Sequence, residues 1–165
     1  MSSYSYKLVE IESVSAVTAT PSVQLGTHRL ENGREYVYCY NYGGGNGDSR
    51  VGSPCIVTGV SGYTFLVNTF TTSSDFSATF SLLGVTQNAT APSGSYCWVA
   101  TRGPVSVYCD AAAVIAGDAL TMADGGIAFT VYTFTSEVTQ VAAMPFFRAL
   151  STKGAVSGVV DIYLK

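Results

Sequence analysis

The sequence predicts an all-β protein, either a compact β-barrel or a sandwich, with an extended N-terminal arm. Short runs of β-branched, aromatic and other apolar residues recur along the 165 residues, and Gly, Pro and Asn separate them. Only residues 111–116 suggest a short helical turn, and no longer stretch carries an apolar stripe at helical spacing. The length suits one domain with a core of its own, so residues 25–165 are expected to form a single β-domain.

Residues 1–24 differ from the rest because they contain no glycine and end close to Pro21. Tyr4 and Tyr6 alternate with serines, which predicts an extended segment. Such a segment either adds a strand to a sheet, its own or a neighbour's, or frays as a terminus. We expect this arm and its junction with the domain to contact another protein subunit. The candidate contact residues are Tyr4, Tyr6, Leu8, Val23 and Leu25.

Two dipeptides mark the clearest turns. Asn32-Gly33 predicts a two-residue hairpin, because both residues tolerate a positive φ angle. Its arms would be residues 25–30 and 35–40. Gly103-Pro104 predicts a second turn, which would separate a strand at 96–102 from one at 105–109. The Gly-rich stretch 43–47 lacks the Gly-Lys-Ser/Thr ending of a phosphate-binding loop and is expected to be a surface loop.

The charge content is low and argues against several classes of function. Charged residues make up 12% of the chain, against a usual ~25%. The net charge of −3 does not suit nucleic-acid binding, which needs a cationic face. No run reaches the ~20 apolar residues of a membrane helix, so no membrane partner is expected. Few charges and 11 tyrosines fit a subunit packed in an assembly.

The residue types that perform catalysis are sparse, and no enzyme activity is predicted. His28 is the one histidine, and no Gly-x-Ser-x-Gly motif accompanies it. A lone histidine on a polar strand is expected to be a surface residue. Asp110, Asp118 and Asp124 lie within fifteen residues, and the last two stand beside glycines at turn positions, which Asp favours for its backbone hydrogen bonds. Neither a cofactor nor a metal site is predicted.

The four cysteines show no CxxC spacing of a zinc or redox site. We expect small, half-buried thiols in a reducing cytoplasm. If a disulfide exists, Cys97 and Cys109 are the first candidates, because they fall in strands predicted to be adjacent.

Short motifs follow one another in a fixed order along the chain. They are Leu25-Gly26-Thr27, the residues 33–38, the segment 84–90, Tyr96-Cys97-Trp98-Val99, Gly103-Pro104-Val105, the segment 116–120, and the closing pair 147–150 and 158–164. In this order they resemble the head decoration, or cement, proteins of tailed bacteriophages. The resemblance covers about residues 25–164, and the loop 43–47 and the aromatic, Thr-rich segment 62–82 depart from it.

The resemblance implies a non-enzymatic protein on the exterior of the virion capsid, made in the host cytoplasm during assembly. Its partners would be the major capsid protein and itself, as a homotrimer. It would stabilise the shell by bridging neighbouring capsomers, and several weak contacts would add up through effective concentration. The alternative is a tail, fibre or attachment protein that binds carbohydrate, with aromatic side chains of 62–80 as stacking platforms. A small β-barrel hydrolase that uses His28 or a carboxylate pair is a third possibility.

Overall fold

The computed structural model describes eleven strands and no helix within residues 13–41, 51–57, 64–66, 81–87, 91–110, 112–122, 129–131 and 147–165. The strands are β1 (Val17–Thr18), β2 (His28–Glu31), β3 (Arg34–Asn41), β4 (Pro54–Val57), β5 (Thr64–Leu66), β6 (Ser81–Thr86), β7 (Tyr96–Cys109), β8 (Ala119–Met122), β9 (Phe129–Val131), β10 (Phe147–Arg148) and β11 (Gly158–Leu164).

The strands form one large, mostly antiparallel sheet, which confirms the predicted all-β class. Its order is β10-β8-β9-β7-β6-β4-β5-β3-β2, and β1, β3 and β11 also pair with β7. Of the two architectures predicted, the sandwich-like one fits and a closed barrel does not. The helical turn predicted at 111–116 is wrong over residues 112–116, since Val114 forms an isolated β-bridge with Lys153.

The 14-residue strand β7 is the central strand of the fold, with which several other strands pair. Its first half pairs with β3, and its second half pairs with β11 through seven residue pairs. The turn predicted at Gly103-Pro104 is therefore wrong, because the chain runs straight on through both residues. Pairing with β11 overrides the local turn preference of the Gly-Pro dipeptide. In this pairing Gly103 lies opposite Leu164, and Pro104 lies opposite Tyr163.

The predicted hairpin at Asn32-Gly33 is confirmed. The two residues join β2 and β3, whose last pair is Glu31 with Arg34. The φ angles are 51° at Asn32 and 74° at Gly33, as a type I′ turn requires. This turn fixes the register of β2 on β3, and so fixes which side chains of β2 face the solvent.

Alternation along the central strands separates two buried clusters. Tyr36, Tyr38, Trp98 and Ala100 belong to the larger one, which also takes in the alternate residues 160, 162 and 164 of β11. The odd-numbered residues of β3 and of the first half of β7 point the other way, into a smaller cluster. It contains Val37, Cys39, Cys55, Ala91, Cys97 and Val99. The centre of the sheet is thus covered on both faces, as a sandwich-like fold requires.

The described part of the N-terminal arm lies on this chain's own sheet. Val17 and Thr18 pair with Cys97 and Tyr96 of β7. The buried Tyr38 hydroxyl accepts a hydrogen bond from the Ser22 backbone N–H (3.1 Å). Of the two strand-addition alternatives left open by the sequence, residues 17–18 follow the one in which the strand joins its own sheet.

Candidate functional site

A solvent-open cleft of about 540 Å³ lies where β2, β3, β7 and β11 meet. It is lined by His28, Arg29, Leu30, Gly33, Glu35, Arg102 and Tyr163. The lining offers two guanidinium groups, an imidazole, one carboxylate and a phenol. It includes neither a thiol nor an aliphatic hydroxyl that could act as a nucleophile. The composition therefore suits binding better than covalent chemistry.

Two irregularities of the backbone shape this cleft. The β3–β7 register shifts between Glu35 and Tyr36, which pair with Arg102 and Ala100 and leave Thr101 as the extra residue of a bulge. The adjacent Gly103 has a φ angle of 99°, which side-chain-bearing residues rarely adopt. A Cβ atom there would lie 2.5 Å from the Gly33 carbonyl oxygen. Glycine thus lets β7 pass close beneath the β2–β3 turn.

Two side-chain contacts tie up most of the polar groups around the cleft. His28 Nδ1 lies 2.7 Å from Glu35 Oε1, across two neighbouring strands. An Arg29 Nη2 atom lies 2.7 Å from Glu31 Oε2, and the Arg29 guanidinium also sits 5.9 Å from the centre of the Trp98 ring. His28 is mostly exposed, in agreement with the predicted surface position. Its carboxylate partner is a feature that the sequence did not indicate.

Arg102 is a charged side chain of the cleft that takes part in neither of these two contacts. It stands opposite Glu35 in the β3–β7 register, yet the Glu35 carboxylate binds His28 instead. Among the described residues Arg102 forms no ion pair, and its side chain is exposed. Leu30 and Tyr163 flank the cleft and are 82% and 51% exposed. An exposed guanidinium beside exposed apolar groups can bind an anionic group carried on an apolar body.

A second surface lies at the other end of β11, and we call it the apolar loop surface. It consists of Ile115, Leu150, Val156 and Val159, whose exposed fractions lie between 55% and 69%. The loops that carry the first three are bonded together. Gly117 donates its backbone N–H to the Ala149 carbonyl, and Ala116 donates to the Thr152 hydroxyl. Single exposed aliphatic residues are ordinary, but four of them on neighbouring segments make this end of the molecule a candidate contact surface.

A lysine holds these loops in place. The Lys153 ammonium donates hydrogen bonds to the carbonyl oxygens of Asp110 (2.6 Å) and Val156 (2.9 Å), and to those of Ala112 and Gly154. Carbonyl oxygens surround the charge as water would otherwise do. The ammonium thereby joins the end of β7 to the loop that carries Val156.

Two aspartates accept backbone hydrogen bonds through their side chains. The Asp110 carboxylate accepts the Ala112 N–H (3.1 Å), and the Asp118 carboxylate accepts the Ile115 N–H (2.8 Å). The second bond agrees with the backbone role expected for Asp118. Asp124 lies outside the described residues.

All four cysteines lie in the described residues, and all are reduced and buried rather than half-buried as predicted. The suggested Cys97–Cys109 pair is wrong, because the two residues stand at opposite ends of one strand, on the order of 40 Å apart along its length. Cys39 instead lies opposite Cys97 on β3. Burial and the neighbouring Cys97 raise the pKa of Cys39 far above its ordinary value.

Burial also raises the pKa of Cys109 to about 11, against a lowering by Lys153, and raises that of Cys55. Thiols with such raised pKa values stay protonated at neutral pH and are poor nucleophiles. In the described part of the chain, no group of three or more His, Cys, Asp or Glu side chains is arranged to hold a metal ion.

The predicted contact residues fall in two groups. Tyr4, Tyr6 and Leu8 lie outside the described residues, as does the loop 43–47. Val23 and Leu25 are half-buried and pack against the larger core cluster of their own chain. Of the aromatic segment 62–80, only the strand 64–66 is described. Sequence reasoning did not single out Arg102 or Tyr163, which meet only through the β7–β11 pairing.

No protein-family model matches the chain, and no curated protein matches it significantly. Within the described ranges, no helix is long and apolar enough to cross a membrane.

Proposed function

We propose that this chain is a structural virion protein that binds the outer surface of a tailed-bacteriophage capsid and bridges neighbouring capsomers. It acts as a homotrimer, its partner is the major capsid protein, and it catalyses no reaction. The observation that carries the proposal is the apolar loop surface, on a chain with only 12% charged residues. The motif resemblance over residues 25–164 agrees with it.

The size of the apolar loop surface explains why several copies would act together. Burying the exposed part of each of its four side chains stabilises a contact by about 1–2 kcal/mol. Association costs about 4–15 kcal/mol in lost translational and rotational freedom, so one copy alone binds weakly. A trimer that presents three such surfaces to a symmetric shell binds firmly, because the second and third contacts form at a high effective concentration.

The N-terminal arm is the second proposed contact. Since β1 already pairs with β7, a deletion that tests the arm must stop short of Val17. Removing residues 2–12 takes away Tyr4, Tyr6 and Leu8 and leaves β1 intact. Capsid affinity that stays unchanged after this deletion would rule out the arm as a contact.

Native mass and shell binding test the proposal directly. Sedimentation equilibrium should give the mass of a trimer, and the protein should co-sediment with expanded shells of the phage that encodes it. Val156→Asp places a charge on the apolar loop surface and should weaken shell binding at least about tenfold. Val51→Asp, at an exposed valine outside that surface, is the matched control and should bind as the wild type does.

Two results would contradict the proposal. A monomer that does not co-sediment with the shells would remove it altogether. Equal shell binding by the Val156→Asp and wild-type proteins would show that the apolar loop surface is not the contact.

A further inference from the structure

We infer that the cleft between β2, β3, β7 and β11 is a docking site for an acidic side chain of a protein partner. The carboxylate would bind the Arg102 guanidinium, and an apolar neighbour in the partner's sequence would cover Leu30 and Tyr163. This inference rests on the proposed function, because it names the chemistry of one contact that a partner such as the capsid protein would make.

The charge distribution supplies the first part of the argument. The lining contributes two guanidinium groups but a single carboxylate, that of Glu35, which is held by His28 at 2.7 Å. Arg29 lies next to Glu31. The other guanidinium, that of Arg102, forms no ion pair with a carboxylate of the described residues, although Glu35 lies opposite it on β3. A guanidinium fork binds a carboxylate through two parallel hydrogen bonds, which is the arrangement that this cleft leaves open.

The shape of the site supplies the second part. Arg102 is placed by the bulge at Thr101, whose hydroxyl donates a hydrogen bond to the Glu35 carbonyl oxygen (3.3 Å). On the C-terminal side of Arg102, the positive φ angle of Gly103 defines the path of the β7 backbone. The guanidinium therefore extends from a position that the backbone defines closely, and docking loses little backbone freedom.

The flanking residues favour a peptide over other bearers of a carboxylate. The Leu30 residue is 82% exposed, and Tyr163, which is 51% exposed, lines the same cleft. An aliphatic side chain in solvent gains from contact with another apolar side chain. The polar side chains of the cleft could also bind the hydroxyl groups of a carboxylated sugar, but such a ligand would leave the exposed Leu30 side chain without an apolar contact.

An NMR titration of the complete, isotope-labelled protein tests the site. The probe is the blocked peptide acetyl-Ser-Leu-Glu-Phe-Ser-amide, and the same peptide with Gln in place of Glu is its control. The Glu peptide should shift the signals of Leu30, Arg102 and Tyr163 and saturate with a Kd of about 1 mM. The Gln peptide should bind at least about tenfold more weakly.

Variants and a competing ligand decide the outcome. Arg102→Gln should abolish the saturable shifts of the Glu peptide. Arg148→Gln, at an exposed arginine of β10 away from the cleft, should leave them unchanged. The inference is overturned by equal binding of both peptides, by binding that survives Arg102→Gln, or by an absence of saturable shifts up to about 5 mM peptide.

Binding of glucuronic acid in the cleft without binding of the Glu peptide would also overturn the inference and assign the site to a sugar. The titration contains no capsid, so its failure leaves the shell-binding result untouched. Failure of shell binding would in turn leave a positive titration standing as a peptide site.

Discussion

The two halves of β7 differ in how they are buried, although they form one strand. Residues 97–100 are buried on both faces, with Trp98 in the larger cluster and Cys97 in the smaller one. Beyond Gly103, burial alternates, so that Val105 and Val107 are buried while Pro104 is exposed. Side chains of the first half are thus buried on both faces of the sheet. Those of the second half are buried on one face and more exposed on the other.

This difference separates stability from interaction. Substitutions in the first half should act on the free energy of unfolding, because every side chain there has packed neighbours. The outer side of the second half and of β11 carries the residues offered for contact, such as Tyr163 and Val159. Loss of those side chains should leave the fold intact. Three substitutions, Trp98→Ala, Gly103→Ala and Lys153→Met, each compared with a control variant, test whether Gly103 marks the boundary between the two halves of β7.

The largest effect is expected for Trp98→Ala. The Trp98 side chain is fully buried, and the centre of its ring lies 5.1 Å from that of Tyr38. Its removal should lower the free energy of unfolding, measured in urea, by about 3–5 kcal/mol. Ser106→Ala, in the second half, removes an exposed hydrogen bond to Asp161 and should cost less than about 1 kcal/mol.

Trp98→Phe sharpens that comparison. The Trp98 Nε1 atom is buried and has no hydrogen-bond partner among the described residues, so its loss removes no hydrogen bond. Phe should therefore recover most of the lost stability. A cost of Trp98→Ala no larger than that of Ser106→Ala would contradict the division of β7 into two halves.

Gly103→Ala should have the next largest effect, because it acts at the boundary itself. The substitution forces a side chain into a φ angle of 99° and places its Cβ against the Gly33 carbonyl. We expect a loss of about 3 kcal/mol in urea unfolding, together with altered NMR signals of Arg102. Gly94→Ala is the matched control. Gly94 has a φ angle of 83° with nothing within 4 Å, so only the backbone cost of about 1 kcal/mol should appear. Equal losses for the two variants would exclude the close approach as the cause.

Lys153→Met should give the smallest of the three effects. It leaves the carbonyl oxygens at the end of β7 and in the Val156 loop without their ammonium donor, at a cost of about 1–3 kcal/mol. Hydrogen exchange of the backbone amides of Val114 and Val156 should accelerate, whereas that of Val99 should change little. Lys165→Met, at the exposed last residue, should change neither. Faster exchange at Val99 as well would show that the two halves of β7 unfold together.

Local chemistry predicted some of these features and missed others for a physical reason. Asn32-Gly33 determines its turn by itself, because both residues accept positive φ angles wherever they stand, and the structure confirms that hairpin. Gly103-Pro104 carries an equally strong local signal, yet the structure extends the strand through it. Pairing with Leu164 and Tyr163 and the approach of Gly33 decide its conformation.

The cleft was beyond local reasoning for the same reason. Arg102 and Tyr163 are distant in sequence and come together only because β11 pairs with the second half of β7. The contact of His28 with Glu35 depends on the register of β2 on β3, and the Asn32-Gly33 turn determines that register. The opposition of Cys39 and Cys97 depends on the β3–β7 register, which no short motif specifies.

The continuity of β7 also has a mechanical consequence. Seven residue pairs join it to β11, and a separate ladder joins it to β3. Inter-strand hydrogen bonds run across the strand direction, so a force that slides β7 along β11 or along β3 loads all the bonds of that ladder in parallel instead of breaking them one by one. A pull applied to one end of β7 and to the opposite end of a partner strand is therefore resisted in shear by the whole ladder.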